Sequence, residues 1–169
     1  CRGLLAAGQP LRGGGDVKLV LGLIFHTATV FSSRNRRMHS PSKRIVVLGT
    51  GGTIAGAGAS ADRAGYTAGK IPIDDLIGTI PSVKKIASIS GEQIASVGSQ
   101  DMTIDIWKKL AIRANEIFAK NEADAIVVTH GTDTQEETAY FLDLVIPSDK
   151  PVVLTGSMRP ATAISADGP

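Results

Sequence analysis

Cysteine is almost missing. Cys1 is the only one, so no intrachain disulfide can form and a cysteine metal cluster has no ligand set, although this does not distinguish oxidising from reducing compartments. Histidine is scarce too, limited to His26, His39 and His130. Neither H-E-x-x-H nor C-x-x-C occurs, so a metal hydrolase lacks its ligands and no metal is expected. Charge of one sign is also lacking: the formal net charge is +2 over 169 residues. Residues 1 to 40 hold six Lys or Arg against one Asp, and residues 41 to 169 hold twelve against fifteen acids. The regularly patterned part is therefore mildly acidic, which gives no electrostatic reason to expect a nucleic-acid partner. Nor is there a long apolar run. Val17 to Phe31 is broken by Gly22 and His26 and falls short of the roughly 20 apolar residues that span a bilayer, so no membrane partner is expected.

What remains is enough for one sizeable domain, at 43% hydrophobic and 20% charged residues. Residues 1 to 40 stand apart from it, with Arg, Gly and Ser scattered around that one broken run. Two readings fit them: a degenerate export segment with Lys18 as its charged flank, or a start at Met38 preceded by upstream sequence. The first implies a periplasmic or secreted protein, the second a cytoplasmic one. Either reading leaves residues 1 to 40 out of the fold.

From Arg44 the patterning becomes regular. Arg44 to Gly56 reads RIVVLGTGGTIAG: a short β-branched apolar run enters a glycine cluster at once, as a buried strand entering a tight turn does. Gly49, Gly51 and Gly52 can adopt conformations closed to other residues and let a ligand approach the backbone. Thr53 is the hydroxyl this turn carries, where an α/β sheet opens its crevice at the carboxyl ends of its strands. Ala57 to Lys70 reads as a glycine-rich loop with one aromatic, Tyr66, whose plainer reading from spacing alone is surface packing. Ile73 to Ile80 is expected as a short helix capped near Asp74 and ended by Pro81, and Ile86 to Val97 as one or two strands around Gly91.

Thr103 to Ala119 spaces Ile106, Leu110, Ala114 and Ile117 by three and four. This predicts an amphipathic helix with Trp107 and Phe118 near its buried face and Lys108, Lys109, Arg113 and Glu116 on its solvated side. Ala125 to Val128 is another strand, ending at Thr129-His130-Gly131-Thr132-Asp133. A helix over Gln135 to Val145 follows, with two overlapping capping boxes available, Asp133 to Glu136 and Thr134 to Glu137. Val152 to Leu154 is a further strand, ending at Thr155-Gly156-Ser157. Strands alternating with helices predict an α/β fold with an open, largely parallel sheet and helices on both faces.

Three strand ends on one sheet edge then offer Thr53, Ser99 with Gln100, and Thr132 with Asp133. Small hydroxyls and acids beside glycines suit a site that binds a small polar molecule and stabilises an oxyanion. A hydroxyl nucleophile needs a base, and the usual histidine is missing: His26 and His39 fall in the excluded segment, and His130, inside a strand end, is better read as structural. Asp133 and Thr134, each taken alone, are better read as helix caps. A dinucleotide fingerprint fails because Ile54 stands where the third glycine belongs, and a P-loop fails because Gly52 is followed by Thr53 and Ile54.

Four blocks nonetheless form a pattern: Thr50-Gly51-Gly52-Thr53-Ile54-Ala55-Gly56; Gly98-Ser99-Gln100-Asp101-Met102; Thr129-His130-Gly131-Thr132-Asp133-Thr134 with Glu136-Glu137-Thr138-Ala139-Tyr140; and Gly156-Ser157-Met158-Arg159-Pro160 through Ser165-Ala166-Asp167-Gly168-Pro169. In this order, over Lys43 to Pro169, they resemble the bacterial L-asparaginase and glutaminase-asparaginase family, and closely its secreted, high-affinity type. The resemblance implies hydrolysis of L-asparagine to L-aspartate and ammonia by a threonine nucleophile. It also implies no metal or organic cofactor and, at full length, a homotetramer; whether L-glutamine is used as well is left open.

Carried over by position, Thr53 matches the nucleophile and Tyr66 the tyrosine that supports it on a closing lid. Gly52, Ser99 and Gln100 match substrate-binding positions, the last two at the α-carboxylate and main-chain end. Asp133 matches the carboxylate that binds the α-ammonium, and Thr132 the second catalytic threonine, in a relay with that aspartate and a lysine. An amino-acid substrate needs an anion for its ammonium, donors for its carboxylate and an oxyanion site, which agrees with these residue types. In the family the relay lysine lies downstream of the Ser165 to Pro169 block, so Lys150 is not its counterpart, and a smaller carboxy-terminal domain follows. Residues 41 to 169 thus correspond to an N-terminal domain incomplete at its carboxyl end, and the chain alone is expected to have little or no activity. Two other readings are a non-catalytic amino-acid-binding or structural module, and the asparaginase-like subunit of a transfer-RNA-dependent amidotransferase. The acidic folded part, without a basic stripe, disfavours the second.

Overall fold

The computed structural model describes residues 20–21, 42–59 and 65–168. Its strands are β1 (Val20–Leu21), β2 (Arg44–Gly51), β3 (Ala57–Gly58), β4 (Tyr66–Thr67), β5 (Ser88–Val97), β6 (Ala125–Thr129) and β7 (Val152–Thr155). Five of them form one sheet in the order β1-β7-β6-β2-β5, every neighbouring pair parallel. The helices are α1 (Ile73–Gly78), α2 (Ile104–Ala119) and α3 (Gln135–Val145).

Alternation along β2 feeds two separate cores, as a central parallel strand buried on both faces must. Val46 and Leu48 join Ile126, Val128, Val152 and Leu154 under α2 and α3, while Val47 packs on the opposite face with Ile54 and with Ile73 and Leu76 of α1. The expected parallel sheet with helices on both faces is therefore what the chain adopts. Leu110, Ala114 and Ile117 of α2 are at most 1% exposed, and burying each leucine or isoleucine of this kind contributes about 1.5–3 kcal/mol. Trp107 stacks on Phe141 of α3 at 5.7 Å between ring centres. Beneath α1 the sheet leaves an apolar cleft of about 330 Å³, at whose edge the Thr129 hydroxyl is buried with no hydrogen-bond partner among the described residues.

Of the one or two strands expected over Ile86 to Val97, one forms, β5, carried straight through Gly91. Other local expectations are corrected. Part of the segment read as a loop is ordered: β3 and β4 pair antiparallel, Gly58 opposite Tyr66. Asp74 does not cap α1: Pro72 stands at the cap position without a side-chain acceptor, and the first helical N–H, that of Ile73, is accepted by Gln93 Oε1 of β5 at 2.9 Å. Arg113, read as part of a solvated face, reaches Glu92 on β5 and Glu122 before β6, both at 2.7 Å. These two carboxylates hold its guanidinium pKa above the ordinary arginine value, and the fork ties α2 to the sheet edge. Of residues 1 to 40 only Val20–Leu21 are described, and they pair with Val153 and Leu154 along the outer edge of β7. The two readings of that segment otherwise lie outside the described residues.

β2 lies between β5 and β6, and the chain leaves β2 for β5 through α1 but returns to β6 through α2 on the other face. This is the reversal of strand order at which open α/β sheets form a crevice beyond their carboxyl ends. The turn after β2 is shaped by Gly51 at φ 111° and Gly52 at φ 77°. A Cβ on Gly52 would collide with the backbone of Gly131, and one on Gly131 would lie 2.5 Å from the Ser99 hydroxyl oxygen. Gly52→Ala should therefore cost more than about 2 kcal/mol in urea unfolding, through backbone strain and collision together. Gly78→Ala, at a position with nothing within 4 Å of its Cβ, should leave stability unchanged or slightly raised. Equal effects of the two would contradict this account of the turn.

Candidate active site

Four strand ends meet around a cavity of about 440 Å³. The end of β2 supplies Gly52 and Thr53, the end of β5 supplies Ser99 and Gln100, and the end of β6 supplies Thr132 and Asp133. Tyr66 comes from β4. All seven residues singled out from the sequence thus line one cavity. Those the sequence reading missed are Ala68 and Gly98, which adjoin named residues, and Ser157 and Met158 after β7. The Thr155-Gly156-Ser157 strand end was visible in the sequence, and the position of β7 beside β6 is what brings it to the cavity.

Thr53 opens a short 3-10 turn directly after Gly52, and its Oγ1 lies 2.8 Å from the Tyr66 hydroxyl. The tyrosine ring lies against Gly56, where a Cβ would come within 2.7 Å of its Cδ2. Tyr66 is 42% exposed, so its ring packs at the surface while its hydroxyl reaches Thr53. Ser99 is buried, and its Oγ accepts the backbone N–H of Asp133 at 3.0 Å. That leaves the serine proton free to donate into the cavity. Gln100 is exposed and its amide nitrogen donates to Asp101 at 3.2 Å. Asp133 is exposed at the cavity wall.

Neither expected capping box closes α3. The Thr134 hydroxyl donates to the Ser99 carbonyl at 3.0 Å, and residues Thr132–Thr134 form a 3-10 turn leading into the helix. The hydroxyl that would cap the helix instead binds the β5 end to the β6 end, and the Asp133 carboxylate is not spent on a cap.

His130 is fully buried and absent from the cavity wall. Its Nδ1 lies 2.7 Å from the Gly131 carbonyl oxygen, which can only accept, so Nδ1 carries the proton. In the neutral ring Nε2 then accepts from the Thr138 hydroxyl at 2.9 Å, and that hydroxyl accepts the Trp107 indole N–H at 2.8 Å. Burial holds the His130 pKa below the ordinary histidine value. Lys150 is spent elsewhere, donating to Asn121 and to the Ala123 carbonyl before β6 begins, at the opposite end of that strand from the cavity. No lysine or arginine lines the cavity among the described residues. Among the described residues, too, no cluster of three His, Cys, Asp or Glu side chains could hold a metal ion.

The family model for the N-terminal part of asparaginases matches residues 44–169. The chain belongs to the asparaginase family. It is 53% identical over 125 residues to the L-asparaginase 2 of Escherichia coli, covering 74% of this chain and 35% of that protein. Against a glutaminase-asparaginase of Acinetobacter glutaminasificans it is 52% identical over 126 residues, covering 74% and 38%. The crystal structure of a probable cytoplasmic L-asparaginase from Campylobacter jejuni superposes with a TM-score of 0.72 at 57% identity, covering 75% of this chain and 39% of that one. This asparaginase-family chain therefore spans a little over a third of the length of the curated relatives it matches. A probable periplasmic L-asparaginase of Haemophilus influenzae, 56% identical over 125 residues, also matches, so its relatives include both periplasmic and cytoplasmic proteins. No helix among the described residues is long and apolar enough to cross a membrane.

The depressed His130 pKa sets a pH dependence. The unfolded chain binds a proton at this histidine near pH 6.5 and the folded chain binds it only at lower pH. Folding stability should fall as pH drops below about 6.5, by up to about 1.4 kcal/mol per unit until the folded pKa is reached. Urea unfolding of wild type and His130→Gln at pH 7.5, 6.5 and 5.5 should show the shallower pH slope in the variant. Identical slopes would contradict a buried neutral histidine.

Proposed function

We propose that this chain is the nucleophile-bearing part of an L-asparaginase, a metal-free and cofactor-free amidohydrolase acting on a small amino-acid amide. The observation that carries this is the convergence of Thr53, Ser99, Gln100, Thr132 and Asp133 on one cavity, with the Thr53 hydroxyl held 2.8 Å from that of Tyr66. In this reading the Asp133 carboxylate pairs with the substrate α-ammonium, and the free Ser99 proton and the Gln100 amide serve its α-carboxylate end. With both charged ends gripped, the side-chain amide carbon is presented to Thr53. Its Oγ forms the C–O bond and ammonia leaves as the C–N bond breaks, giving an ester that water then hydrolyses to L-aspartate. Tyr66 orients the nucleophile through their shared hydrogen bond. Thr132 and Asp133 take the proton-relay role, which also calls for a cation that no described cavity residue supplies.

Because the relatives include a glutaminase-asparaginase, L-glutamine is the natural second substrate. At full length the protein is proposed to work as a homotetramer, with residues 41 to 169 as the N-terminal domain, and its compartment is set by what residues 1 to 37 encode. The full-length protein containing this chain should release ammonia from L-asparagine. Thr53→Ala should lower kcat at least about a hundredfold while changing stability by less than about 0.5 kcal/mol. More than a few per cent of activity surviving that change would contradict Thr53 as nucleophile. The 169-residue chain alone should be nearly inactive, and near full-length rates from it would show that the relay needs no further cation.

A further inference from the structure

The segment after β7 does more than contribute Ser157 and Met158 to the cavity wall. The Asp167 carboxylate accepts the backbone N–H groups of Met158 and Arg159 at 3.3 and 3.0 Å, and the Arg159 guanidinium donates to the Ser165 carbonyl at 3.0 Å. The loop so closed on itself meets the strand pair that carries Tyr66. Ala161 N–H donates to the Gly56 carbonyl at 3.1 Å, and Thr162 Oγ1 accepts the Gly58 N–H at 2.9 Å. Gly58 is the residue paired with Tyr66, and Gly56 is the residue the Tyr66 ring lies against. Two contacts from one loop therefore hold both backbone supports of the tyrosine whose hydroxyl meets Thr53.

We propose that Thr162 is a positioning residue for the proposed amidohydrolase: its hydroxyl anchors the β3–β4 pair and so keeps the Tyr66 hydroxyl on Thr53. It touches neither the cavity nor Thr53 and acts only through Gly58 and Tyr66. The proposal rests on Tyr66 supporting Thr53 as nucleophile, but the structural half of it can be read without turnover. Thr162 is exposed, so removing its hydroxyl leaves both hydrophobic cores untouched.

The chain has two tyrosines, Tyr66 and Tyr140, and Tyr140 is exposed on α3 and serves as an internal reference. With 3-fluorotyrosine incorporated, Thr162→Val should shift or broaden the Tyr66 fluorine resonance and leave that of Tyr140 in place, and Thr162→Ser should restore the wild-type spectrum. The Gly58 amide should exchange about three- to tenfold faster in Thr162→Val, the change expected from losing one partly exposed hydrogen bond. An unmoved Tyr66 resonance, equal movement of both resonances, or no recovery with serine would each overturn the anchoring role. In the full-length enzyme Thr162→Val should lower kcat more than it raises KM, because Tyr66 serves the nucleophile and not the grip on the amino acid. A changed fluorine spectrum with unchanged kcat would leave the anchor standing and remove its catalytic consequence, overturning the proposal in that half.

Discussion

The site depends on a contact between two stretches of backbone. A Cβ on Gly52 would strike the backbone of Gly131, and a Cβ on Gly131 would strike the Ser99 side chain on its other side. Through this contact the turns after β2, β5 and β6 become one surface. Two hydrogen bonds tighten it, from Asp133 N–H to Ser99 Oγ and from the Thr134 hydroxyl to the Ser99 carbonyl. The positions of Thr53, Ser99 and Asp133 relative to one another are thus set by short backbone geometry, the kind of rigid support that precise orientation of a reacting group needs.

Behind that surface the polar groups of the strand ends pair inward, with the Thr129 hydroxyl as an exception among the described residues. The Thr50 hydroxyl donates to the Thr129 carbonyl at 2.9 Å, clamping the ends of β2 and β6. His130, Thr138 and Trp107 form a buried chain of hydrogen bonds from the β6 end through α3 to α2. Threonines close in sequence are divided by geometry: Thr50 and Thr138 are 2% and 0% exposed and serve the fold, while Thr53 and Thr132 face the cavity. A neutral histidine that accepts from Thr138 has no lone pair left for Thr53, and its burial keeps it from the cavity. The groups on the cavity side are hydroxyls and the Asp133 carboxylate, and these are the ones to which the proposed reaction would assign proton transfer.

Much of this was legible in the sequence because strand periodicity and glycine turns are local signals. The runs at Ile45, Ala125 and Val152 gave the strands, and their polar ends gave the cavity. The exceptions share one cause, which is that they depend on partners distant in the chain. Thr134 looks like a helix cap until the Ser99 carbonyl, 35 residues away, takes its hydroxyl. Arg113 looks solvated until Glu92 and Glu122 reach it. The meeting of the Tyr66 hydroxyl with Thr53 is hidden until the Tyr66 strand pairs with Ala57–Gly58 and lays the ring on Gly56. Family resemblance implies roles for the cavity residues, and the close approach of the loops supplies a physical reason why those residues lie together.

The central claim is that three joined loops grip a free amino acid by both charged ends. Backbone amide shifts of the 169-residue chain, followed by nuclear magnetic resonance during addition of L-aspartate, test it directly. The account predicts movements concentrated at Gly52 and Thr53, at Ser99 and Gln100, and at Thr132 and Asp133, saturating together with a single affinity. Absence of any shift, or movements concentrated in the apolar cleft beneath α1, would contradict it.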